Sequence, residues 1–227
     1  MVRGVKASHP DGATGGQDHG GRRSTRRSYH HGDLPATLVA TAVELIAEHG
    51  PHGFSLAEAA RRAGVSIAAP YRHFPDKESL LAAVGLRAYA TLGPRLDAAT
   101  RIYSEPADQL TAAAAAYVRF AVEEAPLFAV LFGAGVDKSR FPELARAAQL
   151  AYGSWLAAAR RIVPEGDEAA ALDLAVDVLT VVHGTAALLA DGQFGDPQEQ
   201  VDPAERRARR VVTALLSGRS SAANPAP

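Results

Sequence analysis

Residues 55–74 read SLAEAARRAGVSIAAPYRHF. Ser55 and Glu58 have the S-x-x-E spacing of a capping box, so a short helix is expected to start at Ser55. Gly64 closes it, because glycine adopts the left-handed backbone that a three-to-four-residue turn requires. Ser66 then caps a further helix to about Phe74. Leu56, Ala60, Ala63 and Val65 are the apolar contacts that would hold the two helices at a fixed angle. The second helix of such a pair can enter a DNA major groove with its N-terminal residues at the base edges. Its exposed candidates are Ser66, Ile67, Ala68, Ala69 and Arg72. Small side chains permit close approach, and Ala or Ile can touch thymine methyls. Tyr71, His73 and Lys77 add a phenol, an imidazole and an ammonium that can donate to phosphate oxygens. Spacing alone leaves a plain structural corner equally open.

Outward from this stretch the chain reads as all-α. A helix is expected from about Leu34 to His49, with Asp33 as N-cap, Pro35 in the first turn and Gly50-Pro51 as its end. Leu38, Ala42, Leu45 and Ile46 recur on one face. A long helix follows from about Lys77 to Ile102, then helices at about 107–124, 126–133, 142–162, 167–192 and 203–217. No period-two run of strand length breaks the pattern. Residues 1–28 are expected to form a disordered basic arm, with Arg22, Arg23, Arg26 and Arg27 available to phosphate, and 219–227 a frayed tail.

Composition excludes several classes. Net charge is −1, yet residues 1–80 carry ten Lys/Arg against eight Asp/Glu, so the basic excess lies on the N-terminal side. Cysteine is absent, which rules out disulfides and thiolate-held metals. No run approaches the roughly 18 uncharged apolar residues of a membrane span, and no secretory signal opens the chain. No phosphate loop, nucleophile elbow or HExxH appears, and none of the eight histidines has a carboxylate partner at helical ligand spacing. No enzyme, cofactor or metal site is expected. A helical scaffold or adaptor without DNA binding is the other class the pattern allows.

GVSIAAPYRHFPDKESLL, with the preceding SLAEAARRA, resembles the core motif of the TetR family of transcriptional regulators over residues 29–84. The resemblance implies that Tyr71, His73 and Lys77 contact phosphates and that Ser55, Ile67, Ala68 and Ala69 lie at the DNA surface. Pro70 stands where Leu is common and is expected to tighten the helix start. YHHGDL and VVHGTAALL resemble the subgroup whose C-terminal domain carries a Trp-His-Gly motif. The matching pair is His183–Gly184, with Leu179 where the Trp would be expected.

Residues 85–218 would then be a ligand-binding and dimerisation bundle. The segment 167–192 is apolar nearly all round, with Leu172, Val176 and Leu179 on one stripe and Leu174, Val178, Val181 and Leu188 on another. One side can face the core and the other a second subunit. Gly184 and Ala187 would let a partner helix approach, and Val211, Val212 and Leu215 continue the seam on the last helix. The resemblance implies a homodimer on a palindromic operator, since one helix-turn-helix reads only a half-site. It further implies a cytoplasmic repressor released by a small molecule. Candidate pocket residues are Tyr117, Phe120, Phe128, Phe132, Tyr152, Trp155 and His183, any of which can equally be core.

Overall fold

The computed structural model describes residues 33–223, and side chains as far as Arg219. The basic arm at 1–28 lies outside the described residues. Within them are nine α-helices and no strand: α1 (Leu34–His49), α2 (Leu56–Arg62), α3 (Lys77–Thr100), α4 (Pro106–Glu123), α5 (Ala125–Gly133), α6 (Pro142–Ala151), α7 (Gly153–Arg160), α8 (Glu168–Ala190) and α9 (Pro197–Ala223).

The helix starts follow local chemistry. Asp33 Oδ1 accepts the Ala36 amide at 3.1 Å, and Pro35 sits where a missing N–H costs nothing. At α3 a reciprocal box forms: Asp76 Oδ1 accepts Ser79 N at 2.8 Å and Ser79 Oγ accepts Asp76 N at 3.3 Å. Arg140 donates to Asp76 Oδ2 at 2.9 Å and also pairs with Glu78, so a loop of the C-terminal half grips the start of α3. The Ser79 amide, and then Arg140, hold the Asp76 carboxyl below its ordinary range.

α4 is the central helix, with α3, α5, α7, α8 and α9 packed against it. Tyr117, Val118, Phe120 and Leu110 of α4 are completely buried. One core runs without a seam from Leu38, Leu45, Phe54 and Phe74 through Leu80 and Val84 to Leu110, Leu174 and Val212. Residues from Asp33 onward therefore form one compact unit. Two glycines of α3 permit close packing on α6. A Cβ on Gly85 would stand 2.9 Å from Leu144 Cδ1, and one on Gly93 would stand 3.2 Å from Ala151 Cα.

Four expectations are corrected. The segment 66–74 is not an α-helix but a turn followed by a single 3-10 turn, Pro70–Arg72. Pro70 has no N–H to return to Ser66 O, and that carbonyl accepts the Ala69 amide instead, at 2.9 Å. The helix expected at 142–162 is two helices, broken at Tyr152–Gly153. The last helix begins at Pro197 rather than 203, with Pro203 inside it, and runs to Ala223, so residues 219–223 are helical rather than frayed. Val212 is fully buried in its own subunit and cannot lie on a seam between subunits.

α8 divides its apolar surface as its all-round pattern suggested. Leu174, Val178, Val182 and Leu189 are buried, whereas Leu172, Val176 and Leu188 are exposed. By length and composition alone α8 is apolar enough to cross a bilayer. Its inward stripe is instead taken up by the helical core, and Asp173 and Asp177 interrupt its outer face. Arg219 reaches Asp177 at 3.1 Å and ties the end of α9 beside the first half of α8.

Candidate nucleic-acid interface and the aromatic cluster behind it

Ser55 Oγ accepts the Glu58 amide at 3.2 Å and starts α2. This is half of the expected box; the return bond from Glu58 is not formed among the described residues. α2 ends in a paired closure, with Gly64 N bonded to Arg61 O at 3.1 Å and Val65 N to Ala60 O at 3.0 Å. That closure needs the left-handed φ of +71° at Gly64. Leu56, Ala60 and Ala63 are buried and fix the angle between α2 and the segment that follows.

The following segment presents a continuous outward face. Ser66, Ile67, Ala68, Tyr71, Arg72 and His73 are exposed, while Ala69 is half-buried and Pro70 and Phe74 point into the core. Ile67 and Tyr71 each expose 52% of their surface, although both are large and apolar enough to be buried. Ser55 is exposed as well. Ser55, Ser66, Ile67, Ala68, Tyr71, Arg72 and His73, seven of the nine residues expected at DNA, are thus solvent-exposed.

Lys77 is placed differently. Its ammonium donates to the His52 carbonyl at 3.0 Å and lies 4.5 Å from the centre of the Phe54 ring. Burial pushes its pKa below the ordinary lysine value. His52, not expected to hold a metal, is a joint between two halves of the molecule: its Nε2 lies 2.8 Å from the Gly133 carbonyl at the end of α5. Nothing local in the sequence signals this contact across 81 positions.

Behind this surface lies an aromatic cluster. Tyr117 is its hub, edge-on to Phe128, Phe132, Trp155 and His183 with ring centres 6.0 to 6.4 Å apart. Phe132 and His183 are closest, at 4.3 Å. The Tyr117 hydroxyl lies 3.1 Å from His183 Nδ1. Burial raises the Tyr117 and Tyr152 phenols far above their ordinary pKa, so both stay protonated. Burial likewise lowers His183, so the imidazole is neutral at pH 7.

The seven pocket candidates do not share one cavity. Phe128, Phe132 and His183 line a cleft of about 700 Å³ between α1, α5 and α8. Tyr152 and Trp155 line a smaller apolar cavity of about 290 Å³ with Leu172, Val176 and Leu179. Tyr117 separates the two, and Phe120 faces elsewhere, under the Arg95 guanidinium at 5.7 Å. Leu179, at the position where the motif would have a Trp, sits on the smaller cavity rather than beside the cleft. The Tyr152 hydroxyl and the Trp155 indole N–H are buried without a hydrogen-bond partner among the described residues. Among those residues no three His, Asp or Glu side chains converge as a metal site.

Of the proposed seam residues, Gly184 is exposed, Val211 is 37% exposed, Leu215 is half-buried on the core, and Ala187 faces the cleft. The outward residues of α8 and α9 include the large apolar Leu172, Val176, Leu188 and Val211, and Gly184.

The profile of bacterial regulatory proteins of the tetR family matches residues 38–84, and that of the tetracyclin repressor-like C-terminal domain matches 110–216. No curated protein matches the sequence. A solved structure of a protein of unknown function from Rhodococcus sp. RHA1 is 29% identical, with a TM-score of 0.62 over 81% of this chain and 97% of that one. The TetR family transcriptional regulator PfmR from Thermus thermophilus is 23% identical, with a TM-score of 0.59 over 79% and 97% of the two chains. A regulatory protein of the tetR family from Rhodococcus RHA1 is 21% identical, with a TM-score of 0.58 over 78% and 96%. The two profiles between them span the N-terminal helices and the helical bundle, and the chain belongs to the TetR family of transcriptional regulators.

Proposed function

We propose that this regulator is a homodimeric repressor that binds a palindromic operator and is released by a small molecule. The observation that carries the reading is the outward face of 66–73, where Ile67 and Tyr71 stand exposed over a fully packed Pro70 and Phe74. A cell keeps large apolar groups in water at a defined surface when something covers them. Ile67 and Ala68 suit thymine methyls, and Tyr71, Arg72 and His73 suit phosphates. These side chains make few hydrogen bonds to bases, so backbone contact and DNA shape carry much of the selectivity.

Dimerisation through α8 and α9 supplies the second half-site. Leu172, Val176, Leu188 and Val211 are the apolar residues a second subunit would cover, with Gly184 allowing close helix approach. Two-fold symmetry then sets two recognition segments about one DNA turn apart. The protein acts in the cytoplasm, and no catalytic step is assigned to it.

Selection of bound duplexes from random DNA tests the reading, followed by titration over a range of salt. A palindromic consensus with affinity falling steeply with salt is expected, since phosphate contacts release counterions. A folded protein that retains no duplex at low salt would instead be a helical scaffold.

A further inference from the structure

The cleft of about 700 Å³ lies between the end of α1 with its following loop and the α5–α8 pair. That volume falls within the usual range of small-molecule sites. Its walls are apolar, with Ile46, Pro51, Phe128 and Ala187 among them, and no Lys or Arg lines it. The charged lining residue is Asp191, exposed at the rim. An anion would meet a carboxylate and no cation there.

One donor faces this apolar space. The Tyr117 hydroxyl lies 3.1 Å from His183 Nδ1 and can donate to it. If Nδ1 accepts, the imidazole proton sits on Nε2. Among the described residues Nε2 has no hydrogen-bond partner, and His183 lines the cleft. Phe132, tilted against His183 with ring centres 4.3 Å apart, is 41% exposed at the same site.

The cleft is also wired to the DNA-binding surface. Phe132 is followed by Gly133, whose carbonyl lies 2.8 Å from His52 Nε2. The His52 carbonyl in turn accepts from the Lys77 ammonium at 3.0 Å. A molecule wedged between α5 and the 50–54 loop strains the first contact and moves the second. Ligand can shift the equilibrium only by its differential affinity for two arrangements, and a molecule that needs the His52–Gly133 contact opened would bind them unequally.

We infer that this cleft takes an uncharged aromatic molecule bearing a hydrogen-bond acceptor, held by Phe132 and the His183 N–H, and that its occupancy is read at Lys77 through His52. The inference deepens the regulator reading and rests on it.

The full chain is titrated with prodan, an uncharged naphthyl ketone whose emission shifts to the blue in apolar surroundings. Three competitors share the naphthalene ring: 2-acetylnaphthalene, 2-ethylnaphthalene and 2-naphthoate. The ketone is expected to displace prodan about 5–10-fold better than the ethyl compound, the value of one hydrogen bond, and the carboxylate to be weakest. In His183→Phe the ketone-to-ethyl ratio falls to about one. Ala187→Trp, which fills the cleft from α8, weakens prodan at least tenfold while far-ultraviolet dichroism shows the helices intact. Saturating 2-acetylnaphthalene is expected to change affinity for a selected duplex at least threefold in the parent protein. His52→Ala abolishes that change when prodan titration in the same variant sets full occupancy. Equal binding of ketone and ethyl compounds, tightest binding by the naphthoate, prodan retained in Ala187→Trp, or an undiminished response in His52→Ala would each overturn the inference. A protein that binds no duplex would sink the regulator reading, while the prodan series would still decide the cleft.

Discussion

The Lys77 ammonium donates to the His52 carbonyl at 3.0 Å while lying 4.5 Å from the centre of the Phe54 ring. An ammonium has three N–H donors, so this bond leaves two for a phosphate. The lysine is thus held against the 52–54 loop instead of sampling solvent. Lys77→Met keeps the stem over Phe54 and removes the charge. Affinity is expected to fall by a similar factor for all duplexes, and the slope of log affinity against log salt to lessen by about one. Fluorescence anisotropy at several salt concentrations reads both quantities. Loss confined to one base position would contradict a phosphate role.

Val211 and Val212 are neighbours with opposite fates: Val211 is 37% exposed and Val212 is fully buried. Leu188→Glu and Val211→Glu are expected to separate the subunits and leave each helical, as seen by sedimentation velocity and circular dichroism. Val212→Glu places an unpaired carboxylate in the core. It should lower stability by about 3 kcal/mol or more and the melting temperature by roughly 6–12 °C. If the Val211 and Leu188 variants sediment as the parent protein does, the seam lies elsewhere.

Much of this architecture was legible because its signals are local. Asp33, Ser55 and Gly64 announce their helix ends with their own hydrogen bonds or φ angles. The facing of α9 was not legible, because Val211, Val212 and Leu215 all satisfy helical spacing. The packing of α9 against α4 and α8 decides that Val212 turns inward. Phe120 and Phe128 are alike in sequence terms, yet one lies under Arg95 and the other on the cleft. His52 carries no motif at all; its importance comes from Gly133, which chain topology brings to it.

Burial lowers the pKa of His183 from its ordinary 6.5. The folded protein therefore resists protonation that the unfolded chain accepts. The stability involved is fully present above about pH 6.5 and is lost as pH falls below it toward the lowered folded value. Protonation would also set a second N–H against the Tyr117 hydroxyl, which could then no longer donate to Nδ1. Melting temperature is expected to decline between pH 7 and pH 5 in the parent protein and to decline less in His183→Gln. Parallel declines would show that His183 does not carry this dependence.

Pro70 denies Ser66 O an i→i+4 donor, and the recognition segment is a turn and a 3-10 turn as a result. Pro70→Leu restores that N–H at the cost of a freer unfolded chain. The segment should then wind as an α-helix from Ser66, adding a protected amide at position 70. Winding at 3.6 instead of 3.0 residues per turn rotates successive side chains by about 20° less each. His73 would move by roughly 60° relative to position 70, while Ile67 and Ala68, N-terminal to the change, would move less. If Tyr71 and His73 contact phosphates and Ile67 and Ala68 face bases, as proposed, the two sets would then no longer match the same duplex. Duplex selection with the variant is expected to return an altered consensus or weaker binding, and hydrogen exchange a newly protected amide. If the new amide exchanges freely and the consensus is unchanged, something other than the missing N–H holds this segment in its 3-10 turn.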